Sequence, residues 1–138
     1  MPEHNDAMTL LLYSDDARTR SSVKLAVGRR PAADVPRVTW VECATEPAVI
    51  ARVDKGGLDL ILLDGEASPA GGMGICRQLK DEIFHCPPVI VLIGRQDDRW
   101  LATWSRADAV IAYPLDPIRV ATSVAEMMRR HARASTGQ

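Results

Sequence analysis

The sequence predicts an α/β protein with a five-stranded parallel sheet covered by helices on both faces. Three observations predict it. Short apolar runs recur at residues 8–13, 38–43, 58–63, 89–93 and 109–112, each too short for a helix. Stretches with helical apolar spacing separate them, so strand and helix alternate five times, which calls for right-handed crossovers. The most apolar runs lack alternation, as expected of strands buried on both faces.

Each element follows from its local chemistry. Residues 1–7 are polar and are expected to fray. The run 8–13 ends at Ser14-Asp15-Asp16, acids able to cap a helix over 17–27 that turns Val23, Ala26 and Val27 inward and stops at Gly28. Two prolines and no period make 29–36 a loop. β-Branched and aromatic residues mark 38–43 as a strand, with Trp40 on an expected edge strand where packing is the favoured role. A helix over 46–55 closes at Gly56-Gly57, and the strand 58–63 then delivers Asp64 at its carboxyl end. A glycine-rich loop leads to a helix over 73–84 with Ile75, Leu79 and Ile83 on one face. Pro87-Pro88 ends that segment ahead of strand 89–93, short helix 97–106 and strand 109–112. Asp116 is a natural N-cap with Pro117 at the first helical position, and Val120, Val124, Met127 and Met128 set the inward stripe of a last helix to about residue 131. Residues 132–138 are expected to be a tail, leaving no room for an attached output domain.

Composition excludes several classes. A chain of 138 residues with 46% apolar and 25% charged side chains can bury a core without disulfides. A net charge of −1 gives no electrostatic footprint for nucleic acid, and Arg129, Arg130 and Arg133 suit a helix C-terminus. Cys43, Cys76 and Cys86 lack metal-ligand spacing and read as small core residues, while His4, His85 and His131 are too scattered for a metal or relay role. Neither a signal peptide nor an apolar run near the ~20 residues of a membrane span is present, so a cytoplasmic protein without direct membrane insertion is expected.

In an open parallel sheet, ligands bind outside the carboxyl ends of the strands where strand order reverses. With the flavodoxin-like order 2-1-3-4-5, the first and third strands are neighbours, and Asp15, Asp16 and Asp64 approach one another. Crowded carboxylates repel unless a cation intervenes, which makes weak Mg²⁺ binding a reading of this cluster. An aspartate so placed can attack phosphorus; one that merely caps a loop is the bland alternative for Asp64.

The chain resembles the receiver domain of two-component response regulators over residues 8–131. The residues that carry the resemblance are Leu11 to Asp16, Asp59 to Asp64 with Gly72 eight residues later, Pro88 to Leu92, Ala107-Asp108, Pro114 and Asp116-Pro117. It implies a non-enzymatic signalling module with Asp64 as phosphoacceptor and Asp15 as a Mg²⁺ ligand. Four positions depart from the pattern. Ser14 stands where the first acid is expected, although a one-residue slide would make Asp15 and Asp16 the acidic pair; Ile93 replaces a hydroxyl residue, Val110 the switch aromatic and Tyr113 the lysine. A lysine ammonium about 4 Å from a phosphoryl oxygen is worth ~4 kcal/mol per charge pair at an effective dielectric of 20, before desolvation. A neutral phenol cannot replace it, and reversing a two-state equilibrium needs ~5.5 kcal/mol. These losses point to a stand-alone pseudo-receiver that binds partners independently of phosphorylation, requiring no cofactor, with Asp64 vestigial or weak. An active regulator accepting phosphate from a histidine kinase is the alternative, and a flavodoxin-like nucleotide binder without a phosphate loop ranks last.

Trp100 and Trp104 lie four apart on the short helix of the face receivers use for partners; such a pair usually packs one ring on the sheet with the other along the surface, and both are candidate partner-interface residues, with core packing the equal alternative. Arg95 is read as a solvated loop residue, with reach into the acidic pocket in place of the absent lysine the alternative. More narrowly, the lone domain, degraded pocket and Arg-rich composition resemble the orphan actinobacterial receiver that accompanies respiratory NADH:quinone dehydrogenase, implying a site peripheral to the inner face of the cell membrane.

Overall fold

The computed structural model describes residues 7–94 and 99–136. Five strands, β1 (Ala7–Tyr13), β2 (Arg37–Cys43), β3 (Leu60–Asp64), β4 (Val89–Ile93) and β5 (Ala109–Ala112), alternate with α1 (Ala17–Val27), α2 (Glu46–Lys55), α3 (Gly72–Glu82), α4 (Arg99–Ser105) and α5 (Pro117–Thr136). All strand pairings are parallel and the order is β2-β1-β3-β4-β5, as the alternation predicts.

The central strands are apolar throughout because both of their faces are covered. Leu10 and Leu12 of β1 point to one side with Leu60, Leu62, Ile90 and Leu92, where Val23 of α1 and Val120 and Val124 of α5 meet them. Leu11, Ile61, Leu63, Val89 and Val91 point to the other side, under Val49 of α2 and Ile75 and Leu79 of α3. Trp40 is half-buried against the first of these layers, as packing on the edge strand predicts. Cys43 and Cys76 are buried core residues, and Cys86 is half-buried.

Helix boundaries follow the caps. Asp16 accepts the Arg18 N–H at the start of α1, and Gly28 ends it with φ of 69°. Asp116 accepts the Ile118 N–H at 3.0 Å, with Pro117 next in the chain, as predicted. Three boundaries differ from expectation. Asp64 lies inside β3 rather than after it, paired with Leu92, while Leu58 is buried ahead of the strand. α3 stops at Glu82, and Ile83 takes extended geometry as the chain turns toward β4. α5 continues to Thr136, past the tail boundary expected at residue 132, because no breaker occurs before Gly137. α4 ends where Arg106 adopts φ of 67°, a left-handed C-terminal conformation.

Candidate functional site

The site lies at the switch point between β1 and β3. Tyr13 pairs with Leu63, so the next residues, Ser14 and Asp64, stand abreast at the carboxyl edge of the sheet. Asp64 is only 3% exposed, and a carboxylate so buried requires donors. Three surround it. Ser14 Oγ donates to Oδ2 at 2.7 Å, Tyr113 Oη donates to Oδ1 at 3.0 Å, and the Glu66 backbone N–H donates to Oδ1 at 2.9 Å. These occupy three of the roughly four lone-pair directions a carboxylate offers.

Both hydroxyls are held from behind. Ser14 Oγ accepts the Asp16 N–H at 3.0 Å, and Arg20 Nη1 donates to the Ser14 carbonyl at 2.6 Å while Arg20 Nε pairs with Glu42. Tyr113 is fixed by its own N–H, which donates to the Ile93 carbonyl at 2.8 Å, and by a side-chain contact with Thr19. Burial first, then the Asp64 charge, push the Tyr113 phenol well above its ordinary value, so it stays a neutral donor. Burial and then the Asp15 charge raise the Tyr13 phenol in the same direction. Tyr13 donates its hydroxyl to the Ala70 carbonyl and so ties the glycine-rich loop to β1.

Asp15, Asp16, Thr19, Asp64, Glu66 and Tyr113 line a cleft of about 460 Å³. The three predicted acids share that cleft without converging. Asp15 and Asp16 are exposed, Asp16 Oδ1 is engaged as the α1 cap at 2.8 Å, and both oxygens of Asp64 hold protein donors. Among the described residues no group of three carboxylate, imidazole or thiolate side chains is placed to hold a metal ion. Protein donors already engage both Asp64 oxygens, which leaves Asp15, Asp16 and Glu66 as the exposed acids of the cleft; Mg²⁺ is held by one or two carboxylates with water completing its octahedron.

The remaining predicted positions separate. Ile93 is fully buried in the layer under α2 and α3, so its branch fills core volume rather than facing the cleft. Val110 packs partly against the same layer and lines a groove with Ile111, Ala112 and Ile118. The expectation of one packed tryptophan is corrected: Trp100 is 69% and Trp104 48% exposed. α4 has only seven residues, too few to bring Trp104 over the sheet, and the Arg77 guanidinium lies 5.2 Å from its ring centroid instead. Arg95 and His4 lie outside the described residues. His131 makes a structural pair with Asp59 at 3.0 Å, and His85 stacks obliquely on Phe84. Sequence reasoning missed Thr19 and Glu66 as cleft residues. It also read Ser14 and Tyr113 as two separate losses, although one missing acid and one missing lysine together preserve charge balance.

Comparison with known proteins agrees with this architecture. No family model matches the chain. It is 52% identical over 129 residues, 94% of its length and 97% of the relative's, to an uncharacterized response regulatory protein of Mycobacterium tuberculosis strain H37Rv. It is 29% identical over 85 residues to the regulatory protein VanR of Enterococcus faecium, covering 60% of this chain and 36% of that one. Among solved structures, a CheY-like receiver domain protein of Methanospirillum hungatei superposes with a TM-score of 0.71 at 17% identity, over 94% of this chain and 99% of the other. The receiver domain of Francisella response regulator 1452 does so with a TM-score of 0.74 at 14% identity, over 89% and 98%. With half its residues shared with a response regulatory protein along nearly the whole of both chains, and with the sheet order of a receiver, this chain belongs to the response regulator receiver family.

Proposed function

We propose that this receiver works as a protein-interaction module whose activity does not depend on phosphorylation. The observation that carries the reading is the pair of neutral hydroxyls on Asp64, from Ser14 and Tyr113. An attacking Asp64 oxygen must release a hydrogen bond, and the transferred group then meets a phenol where receivers present an ammonium. A switch moves only by the differential interaction its ligand makes with two states, and here the groups that would make that difference are absent. Asp64 is accordingly vestigial or weak as a phosphoacceptor, and Mg²⁺ is not required.

The partner surface we favour is α4, where Trp100 and Trp104 are exposed large side chains suited to anchor an interface. The assembly the narrower resemblance suggests is respiratory NADH:quinone dehydrogenase, with this chain peripheral to the inner face of the membrane through that partner. Among the described residues no helix is long and apolar enough to cross a membrane.

Incubation with acetyl phosphate or a beryllofluoride complex and Mg²⁺, read by intact-mass measurement and amide shifts, tests the reading. No adduct and no rearrangement are expected. A Mg²⁺-dependent adduct abolished by Asp64→Asn would establish the alternative, a regulator that accepts phosphate from a histidine kinase. Recovery of the tagged native protein in a stoichiometric complex, lost on Trp100→Ala, is the second expected result.

A further inference from the structure

α4 carries the two exposed tryptophans, and its seven residues are too few for a helix to hold itself in water, where about 12–15 are needed. Its order therefore comes from its neighbours, α3 above all. Ser105, fully buried at the end of α4, hydrogen-bonds the Cys76 side chain of α3. Arg106 follows in its left-handed conformation and donates through Nη1 to Asp81 Oδ1 of α3 at 2.8 Å.

Arg77 of α3 holds a ring as well as the backbone. Its Nη1 donates at 2.7 Å to the Trp104 carbonyl, one of the last carbonyls of α4, which find no donor within their own helix. Its guanidinium carbon stands 5.2 Å from the centroid of the Trp104 ring, within cation–π range. Its Nε pairs with Asp81 Oδ2 at 3.1 Å, so one carboxylate braces both Arg77 and Arg106. Trp104 is thus 48% exposed yet fixed at two points. Trp100, one turn earlier and 69% exposed, has no ring contact or side-chain hydrogen bond among the described residues. A lysine at position 77 reaches the carbonyl but cannot also lay a planar cation on the ring and pair with Asp81.

We infer that Arg77 is a positioning residue of the partner surface: it holds the Trp104 ring in one exposed orientation before any partner arrives, and through it the surface extends from α4 onto α3. That role rests on α4 being the partner surface, as proposed above. An exposed tryptophan free to rotate loses that freedom when a pocket takes it up, which lowers affinity about two- to tenfold; a ring already fixed has no such freedom to lose. The partner that fits is a protein with an apolar pocket for an indole, entered from the side that Arg77 leaves open.

Ring dynamics and partner release in the full-length protein test this. In the isotope-labelled wild-type chain the Trp104 indole N–H should be rigid by heteronuclear NOE while that of Trp100 is mobile, and Arg77→Ala should make the two alike. Arg77→Lys keeps a donor for the Trp104 carbonyl, so it should leave the α4 amides protected and still free the ring; it decides the matter should Arg77→Ala unfold α4. From the stoichiometric complex recovered with the tagged native protein, either variant should speed release of the partner about two- to tenfold. A Trp104 indole no more rigid than that of Trp100 in the wild type, or one equally rigid in Arg77→Lys, would overturn the inference. A complex lost on Trp100→Ala but released unchanged from Arg77→Lys overturns the role of Arg77 alone, whereas no complex with the wild-type chain overturns the α4 surface and that role with it.

Discussion

At the scale of single residues, this protein is defined by two hydroxyl groups. Ser14 and Tyr113 reach Asp64 from elements 99 positions apart in sequence and satisfy it without a formal positive charge. Tyr113→Phe removes one donor from a buried carboxylate and should destabilise the fold by about 2 kcal/mol, read from the urea midpoint. The same substitution should alter alkaline behaviour. The folded phenol titrates above its unfolded value of about 10, so between the two the native state keeps a proton the unfolded chain has released. Stability is therefore complete below about pH 10 and falls as pH rises through the folded value. Tyr113→Phe should flatten that fall by at most about 1.4 kcal/mol per pH unit in alkaline melts. Introducing together the two charge types that the receiver pattern carries, Ser14→Asp with Tyr113→Lys, should produce Mg²⁺-dependent beryllofluoride binding detectable by amide shifts, whereas Ser14→Asp alone should add only repulsion beside Asp64. The sequence displays both substitutions, yet their cooperation was illegible there, because a hydrogen bond is a fact of distance and direction.

At the scale of elements, packing of α3 on the end of β3 sets how deeply Asp64 is held. A Cβ at Gly72 would sit 2.7 Å from the Asp64 carbonyl oxygen, so only glycine lets the helix start this close to the strand. Gly74, one turn surface away, has open space around its Cβ position. The two should respond oppositely to alanine: Gly72→Ala is expected to cost about 1–3 kcal/mol and Gly74→Ala to add about 0.5–1 kcal/mol, a contrast that thermal melts resolve. Strand order, caps and the inward stripes of α1 and α5 were legible because they depend on short-range periodicity and capping chemistry. The fate of Trp100 and Trp104 was not. Whether a side chain four residues from another meets the sheet depends on helix length and placement, and α4 proves too short.

At the scale of the whole molecule, the parallel sheet separates two ends with different characters. The carboxyl end gathers Asp15, Asp16, Asp64 and Glu66 around one cleft, and the amino end sets the Lys80–Asp108 pair with Arg130 and His131 around another. Because Ser14, Tyr113 and the Glu66 N–H already engage both oxygens of Asp64, 10 mM Mg²⁺ should leave the melting temperature unchanged; a site with a dissociation constant of about 1 mM would instead add about 1.4 kcal/mol. What the sequence alone determined is the parallel α/β architecture and the identity of the altered positions, since apolar runs, caps and motif residues are properties of neighbours along the chain. Tertiary structure decided that Asp64 is held by the Ser14 and Tyr113 hydroxyls, that both Trp100 and Trp104 are exposed, and that a lengthened α5 walls a second cleft. Each of these depends on residues far apart in sequence arriving within a few ångströms, and only the completed packing of helices on the sheet fixes that distance.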